Sequence, residues 1–111
     1  MKQYLNETQT AKLIELGFEK PSSIASVEPI YGIGGICVAK AYNIGELFEM
    51  LPRTINSYYN LSVLSTSQGW WVFYGLIGDG DMWSIEYEVY RSELIDALYE
   101  MVVNLKEEGV I

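Results

Sequence analysis

Near the end of the chain Leu94, Ile95, Leu98, Met101, Val102 and Leu105 recur at three- and four-residue intervals, which traces one apolar stripe along a helix. Ser92 is a good N-cap ahead of that stripe, and Gly109 supplies the left-handed residue that stops a helix. Upstream the period changes to two. From Met82 to Tyr90 polar and apolar residues alternate, so Trp83, Ile85, Tyr87 and Val89 are expected on one strand face and Ser84, Glu86, Glu88 and Tyr90 on the other. Trp70 to Ile77 is almost continuously apolar, as in a central strand covered on both faces. Leu61 to Thr66 reads as a shorter strand joined to it through Ser67-Gln68-Gly69, and Gly78-Asp79-Gly80-Asp81 is turn chemistry. These elements predict a three-stranded antiparallel meander closed by a long helix.

The first half of the chain is marked mainly by its helix boundaries. Asn6 with Gln9 three residues on matches a capping box, and Gly17 followed by Phe18, placed to fold back on Leu13, matches a Schellman-type stop. Asn43 with Glu46 repeats the box, and Leu47, Phe48 and Leu51 form one apolar face of a short helix before Pro52. Between them, Lys20-Pro21-Ser22-Ser23 reads as loop. Residues 24–42 show no sustained period, with a short strand expected only at Ile36-Cys37-Val38-Ala39. The expected fold is a two-layer α+β arrangement in a single domain over residues 1–111, with N-terminal helices, a three-stranded meander and a long C-terminal helix.

Composition fits one such domain, since half of the 111 residues are hydrophobic and 14 % aromatic. No opening apolar run resembles a secretory signal and no apolar stretch approaches the ~20 residues a membrane helix needs, so a cytoplasmic location without membrane insertion is expected. The single cysteine, Cys37, is expected to be a small buried hydrophobe. Charge is uneven. Residues 1–78 carry six acids and five bases, a net of −1, whereas residues 79–111 carry nine acids against Arg91 and Lys106, a net of −7.

Several chemistries can be set aside. Gly32-Ile33-Gly34-Gly35-Ile36-Cys37 puts cysteine at the third glycine of a dinucleotide fingerprint, and no Gly-Lys-Ser/Thr follows, so the segment is expected to bend the chain rather than cradle a phosphate. With no histidine, the His-dependent triads and metal sites are absent. The Asp79 and Asp81 turn lacks the glutamate that would complete a calcium loop, because residue 90 is tyrosine. Glu86 and Glu88 share a strand face expected to be wet, which suits solvation better than acid–base catalysis. No catalytic, metal or cofactor residues are assigned.

Two surfaces remain as candidates for binding a partner. Glu93, Asp96, Glu100 and Glu107, with Asn104, fall on one side of the last helix as an acidic ridge, continued by Glu86 and Glu88. The ridge reads either as solvated helix surface that keeps the chain soluble or as a docking surface for a basic partner. Like charges at Asp96 and Glu100, and Glu107 and Glu108 at the negative end of the helix dipole, do not serve helix stability and add slight weight to the second. Trp70 and Trp71 are adjacent on a strand and point to opposite faces, so only one can face the closing helix. The other is either packed in the core beneath the N-terminal helices, the favoured reading, or exposed with Tyr74 or Tyr58-Tyr59 as a candidate aromatic patch. Helix, three strands and helix is also the order of a double-stranded RNA binding domain. The acidic start of the closing helix argues against it, because phosphate binding needs Lys or Arg.

The segments "LNETQTAKLIELGF", "YNIGELFEMLP", the Trp-rich hairpin and "YRSELIDALYEMVVNL" together resemble a family of small uncharacterised proteins of gut Bacteroides-type bacteria and their phages or mobile elements. That resemblance implies a mobile-element origin but neither an activity nor catalytic residues. The expectation is a small non-enzymatic interaction protein that binds a protein partner, or a second copy of itself as a homodimer, through the acidic C-terminal surface or the aromatic patch. The alternatives are a small-molecule binder or minor enzyme with a pocket near the glycine-rich loop, and an acidic inhibitor or immunity-type protein. Nucleic acid, membrane and cofactor are not expected as partners.

Overall fold

The computed structural model describes residues 2–22, 24–26, 38–57, 59–77 and 83–111. In chain order the elements are α1 (Glu7–Glu15), β1 (Ile24–Ser26), β2 (Val38–Lys40), α2 (Ile44–Met50), β3 (Thr54–Ile55), β4 (Tyr59–Thr66), β5 (Gly69–Ile77), β6 (Trp83–Arg91) and α3 (Leu94–Glu107). The glycine-rich Gly32 to Cys37 segment and the Gly78 to Asp81 turn lie outside the described residues. So do Ile36 and Cys37 of the strand expected there, whose other half falls in β2.

Local signals set the helix ends. Asn6 accepts from the Gln9 backbone N–H at 2.8 Å while the Gln9 side chain accepts from the Asn6 N–H at 3.0 Å, so two orphan donors of the first turn are satisfied reciprocally. Asn43 and Glu46 repeat the arrangement at 2.8 and 3.2 Å. At the other end of α1, Gly17 sits at φ +100° and Phe18 N–H donates to the Leu13 carbonyl at 3.2 Å, completing a Schellman motif. Gly109 and Val110 N–H groups close α3 in the same way on Lys106 and Leu105. The N-terminus of α3 departs from expectation: Glu93, not Ser92, is the N-cap residue, and its side chain makes no capping bond.

The sheet has four strands rather than three, in the order β3-β4-β5-β6 and antiparallel throughout, while β1 and β2 form a separate two-stranded pair. The extra strand, β3, is two residues long and pairs Thr54 with Asn60 and Ile55 with Tyr59. So short a strand has no period of its own. It exists because the chain reverses at Asn56 and Ser57, both at positive φ, and falls back along β4. β5 is central among β4, β5 and β6, as expected.

Leu13 of α1, Leu47 of α2, Val72 and Tyr74 of β5, Val89 of β6 and the α3 residues Leu94, Ile95, Ala97, Leu98, Met101, Val102 and Leu105 belong to one buried cluster, in which α3 lies against β5 and β6 and α2 packs on α3. Burying each large apolar side chain there is worth about 1.5–3 kcal/mol. The N-terminal segment is tied to the strand of chain entering α2, where Leu5 N–H donates to the Tyr42 carbonyl at 3.0 Å. Tyr74 keeps its buried phenol satisfied by donating to the Pro52 carbonyl at 2.6 Å.

One irregularity re-aims part of the sheet. Tyr74 pairs with Tyr87 but Gly75 pairs with Ile85, so Glu86 is an extra residue on β6 and forms a β-bulge. The simple alternation therefore fails at Ile85. It lies across from Gly75, on the face away from Tyr74, instead of sharing a face with Tyr87 and Val89.

Candidate functional site

Register assigns the aromatic residues to faces. Trp70 packs against the core cluster and Tyr74 is fully buried in it, so both of these candidates face the helices. Trp71 faces away. It lies between Leu64 of β4 and Tyr90 of β6 in one row across the three strands, and Phe73 lies in the next row between Ser62 and Glu88. Trp71 stacks on Phe73 with ring centroids 4.2 Å apart and planes 30° from parallel. A side chain on Gly75 would come within 3.1 Å of the Phe73 ring, so the missing Cβ there leaves room for the ring edge.

Among the described residues no helix covers this face, and one apolar row on it meets solvent. Leu64 is 50 % exposed and Tyr90 44 %, on either side of a half-buried Trp71. Tyr90 is held in place by a hydrogen bond between its hydroxyl and that of Thr66. Glu88 is exposed on the same face, and Glu86 is exposed at the bulge of the edge strand. Leu64 and Tyr90 were not among the sequence candidates. The signal for Leu64 was available: in Leu61-Ser62-Val63-Leu64 the alternation puts a leucine where a polar residue is due.

The acidic ridge has a different setting. Lys2 Nζ lies 2.9 Å from the Asp96 carboxylate, Gln9 Nε2 donates to the same oxygen at 3.0 Å, and the Lys2 backbone N–H donates to Glu93 at 3.1 Å. Arg91 pairs with Glu100, and Lys12 lies 3.8 Å from Glu107. Helix α1 and the residues before it thus supply Lys2, Gln9 and Lys12 to the ridge acids, and Lys106 reaches back over the Phe18 ring at 5.4 Å. Burial by itself pushes the Asp96 carboxyl up. The Gln9 and Lys2 hydrogen bonds, with the charges of Lys2 and Arg91, outweigh burial and hold it below the usual carboxylate value.

Four phenols are pushed upward for different reasons, Tyr99 among them by burial and then by the charges of Glu107 and Glu100. Burial raises Tyr74 and also Tyr42, the latter helped by the charges of Glu46 and Glu19, whereas Tyr87 is raised first by its hydrogen bond with Glu108. None is poised as a base near neutral pH.

A cleft of about 380 Å³, open to solvent, lies between α2 and the chain leaving α1, walled by Phe18, Tyr42 and Met50 and rimmed by Glu19, Lys20, Glu46 and Glu49. Its polar groups are partly engaged with one another: Ser22 N–H donates to Glu46 at 3.3 Å and the Tyr42 hydroxyl donates to the Glu19 carbonyl. Among the described residues no group of three or more Cys, Asp or Glu side chains is arranged to hold a metal ion, and no helix is long and apolar enough to cross a membrane. No family model, curated protein or solved structure matches the chain.

Proposed function

We propose that this chain is a small non-enzymatic interaction module that binds another protein through the helix-free face of its sheet. The observation that carries this is the solvent-facing row of Leu64, Trp71 and Tyr90, set on a sheet whose other face is packed against α3, with α2 in turn against α3. A contiguous apolar row of this kind is what interfaces use, because covering it releases water without a rearrangement of the fold. The acidic ridge supports the proposal less well, since its four carboxylates already hold donors from Lys2, Gln9, Arg91 and Lys12. A partner would have to displace those bonds.

Affinity capture with three versions of the chain separates the two surfaces. Leu64→Ser with Tyr90→Ser is expected to lose proteins retained by the native chain. Glu93→Gln with Asp96→Asn and Glu100→Gln is expected to retain them. The reverse pattern would move the interface to the ridge. A second reading, small-molecule binding, is favoured by the Phe18, Tyr42 and Met50 cleft. A ligand-induced rise in melting temperature that Met50→Trp abolishes would favour it over the sheet face.

A further inference from the structure

Resting on the sheet-face reading, we infer that the partner presents a cationic amphipathic segment, with apolar side chains over Leu64, Trp71 and Tyr90 and a Lys or Arg beside Glu88 and Glu86. Among the described residues charge on this face is one-signed. From Thr54 to Gly78 the chain has no charged residue, so β3, β4 and β5 contribute none and the face depends on β6 for its charge. There the exposed Glu88 lies opposite the buried Phe73 on the face away from Tyr74, with Glu86 at the adjoining bulge. Arg91, the basic residue of β6, pairs across from Trp70 on the helix side, where its guanidinium is held by Glu100 and by the Tyr90 carbonyl.

Glu86 and Glu88 also differ from their neighbours in being unpaired. Among the described residues of 83–111, Glu93, Asp96, Glu100 and Glu107 each have a donor within the chain, while Glu86 and Glu88 have neither an ion pair nor a hydrogen bond. Carboxylates beside an exposed aromatic row fit a guanidinium or ammonium, which gains from the charge and from the faces of Trp71 and Tyr90. A second copy of the chain would instead bring the same two carboxylates and no base against them. Anionic lipid and nucleic acid meet the same repulsion. The bulge at Glu86 also interrupts the edge of β6, so the segment lies across the face rather than adding a strand.

The test is calorimetric titration of the full chain with an amphipathic Leu/Lys peptide of about 14 residues, and with its Leu/Glu counterpart, long enough for several turns of helix. The Leu/Lys peptide is expected to bind, to shift the amide resonances of Leu64, Trp71 and Tyr90, and to weaken roughly three- to tenfold for Glu86→Gln/Glu88→Gln, the range expected for two exposed ion pairs. The Glu93→Gln/Asp96→Asn/Glu100→Gln chain should bind as the native one does. Equal binding of the two peptides, no loss in the Glu86→Gln/Glu88→Gln chain, or no binding of the Leu/Lys peptide would overturn the cationic partner. If that peptide fails while the native chain self-associates and Leu64→Ser/Tyr90→Ser prevents it, the sheet face stands with a second copy as its occupant. If the Leu64→Ser/Tyr90→Ser chain, shown folded by its amide spectrum, binds the Leu/Lys peptide with native affinity, both proposals fall.

Discussion

Gly69 opens β5 with φ at +154°, and a Cβ there would lie 2.5 Å from the Arg91 carbonyl oxygen. That oxygen belongs to the backbone of β6 and cannot step aside as a side-chain tip would. Gly69→Ala is therefore expected to destabilise the fold by about 1–3 kcal/mol, read as a lower urea midpoint at an unchanged slope. Thr10 presents the opposite case. Its hydroxyl is buried in α1 without a hydrogen-bond partner, so Thr10→Val, which preserves shape, is expected to be neutral or to stabilise by up to about 1 kcal/mol in thermal melts. Neither effect is legible in the sequence, where Gly69 reads as an ordinary turn glycine and Thr10 as an ordinary helix residue. What matters for each is an atom, or the lack of one, supplied by packing.

At the scale of the element, the helix boundaries were the most legible feature because a cap is closed by residues only a few positions apart. Asn6 and Gln9 form both bonds of their box within one turn. Asn6→Ala is expected to cost about 1 kcal/mol and to raise amide exchange selectively in the first turn of α1. The N-terminus of α3 shows the limit of this logic. Ser92 has the right chemistry to cap, but β6 continues through Arg91 and the helix begins at Leu94 from Glu93, whose carboxylate is directed to Lys2 instead. Strand alternation was legible up to Tyr87 from the C-terminal side, and no further, because the Glu86 bulge is a property of β6 paired with β5.

For the whole molecule the main tie is between the two ends of the chain. Lys2 and Asp96, 94 residues apart, meet at 2.9 Å, and Gln9 and Lys12 extend the link along α3. The folded-state carboxyl of Asp96 lies below its unfolded value near 3.8, so its contribution is complete above that value and is lost as pH falls through the lower folded one. Asp96→Asn is expected to lower stability at neutral pH by under about 1 kcal/mol, the range for a partly exposed pair, with the deficit closing in strong acid. Urea midpoints of the two chains measured across the acid range check this.

The sequence by itself determined the α+β class, the capped ends of α1 and α2, the long apolar stripe of α3 and the sheet core of β4, β5 and β6. These follow from periods and caps within about a dozen residues. It also delivered the correct dichotomy at Trp70 and Trp71, since neighbours on a strand must diverge. Only the tertiary structure decided that Trp70 is the one beneath the helices, that β3 exists, that Ile85 changes face and that the ridge acids are bound within the chain. Each of those outcomes depends on which distant residue arrives opposite: Val89 and Arg91 across from Val72 and Trp70, Asn60 across from Thr54, Gly75 across from Ile85, Lys2 beside Asp96. No local period encodes them.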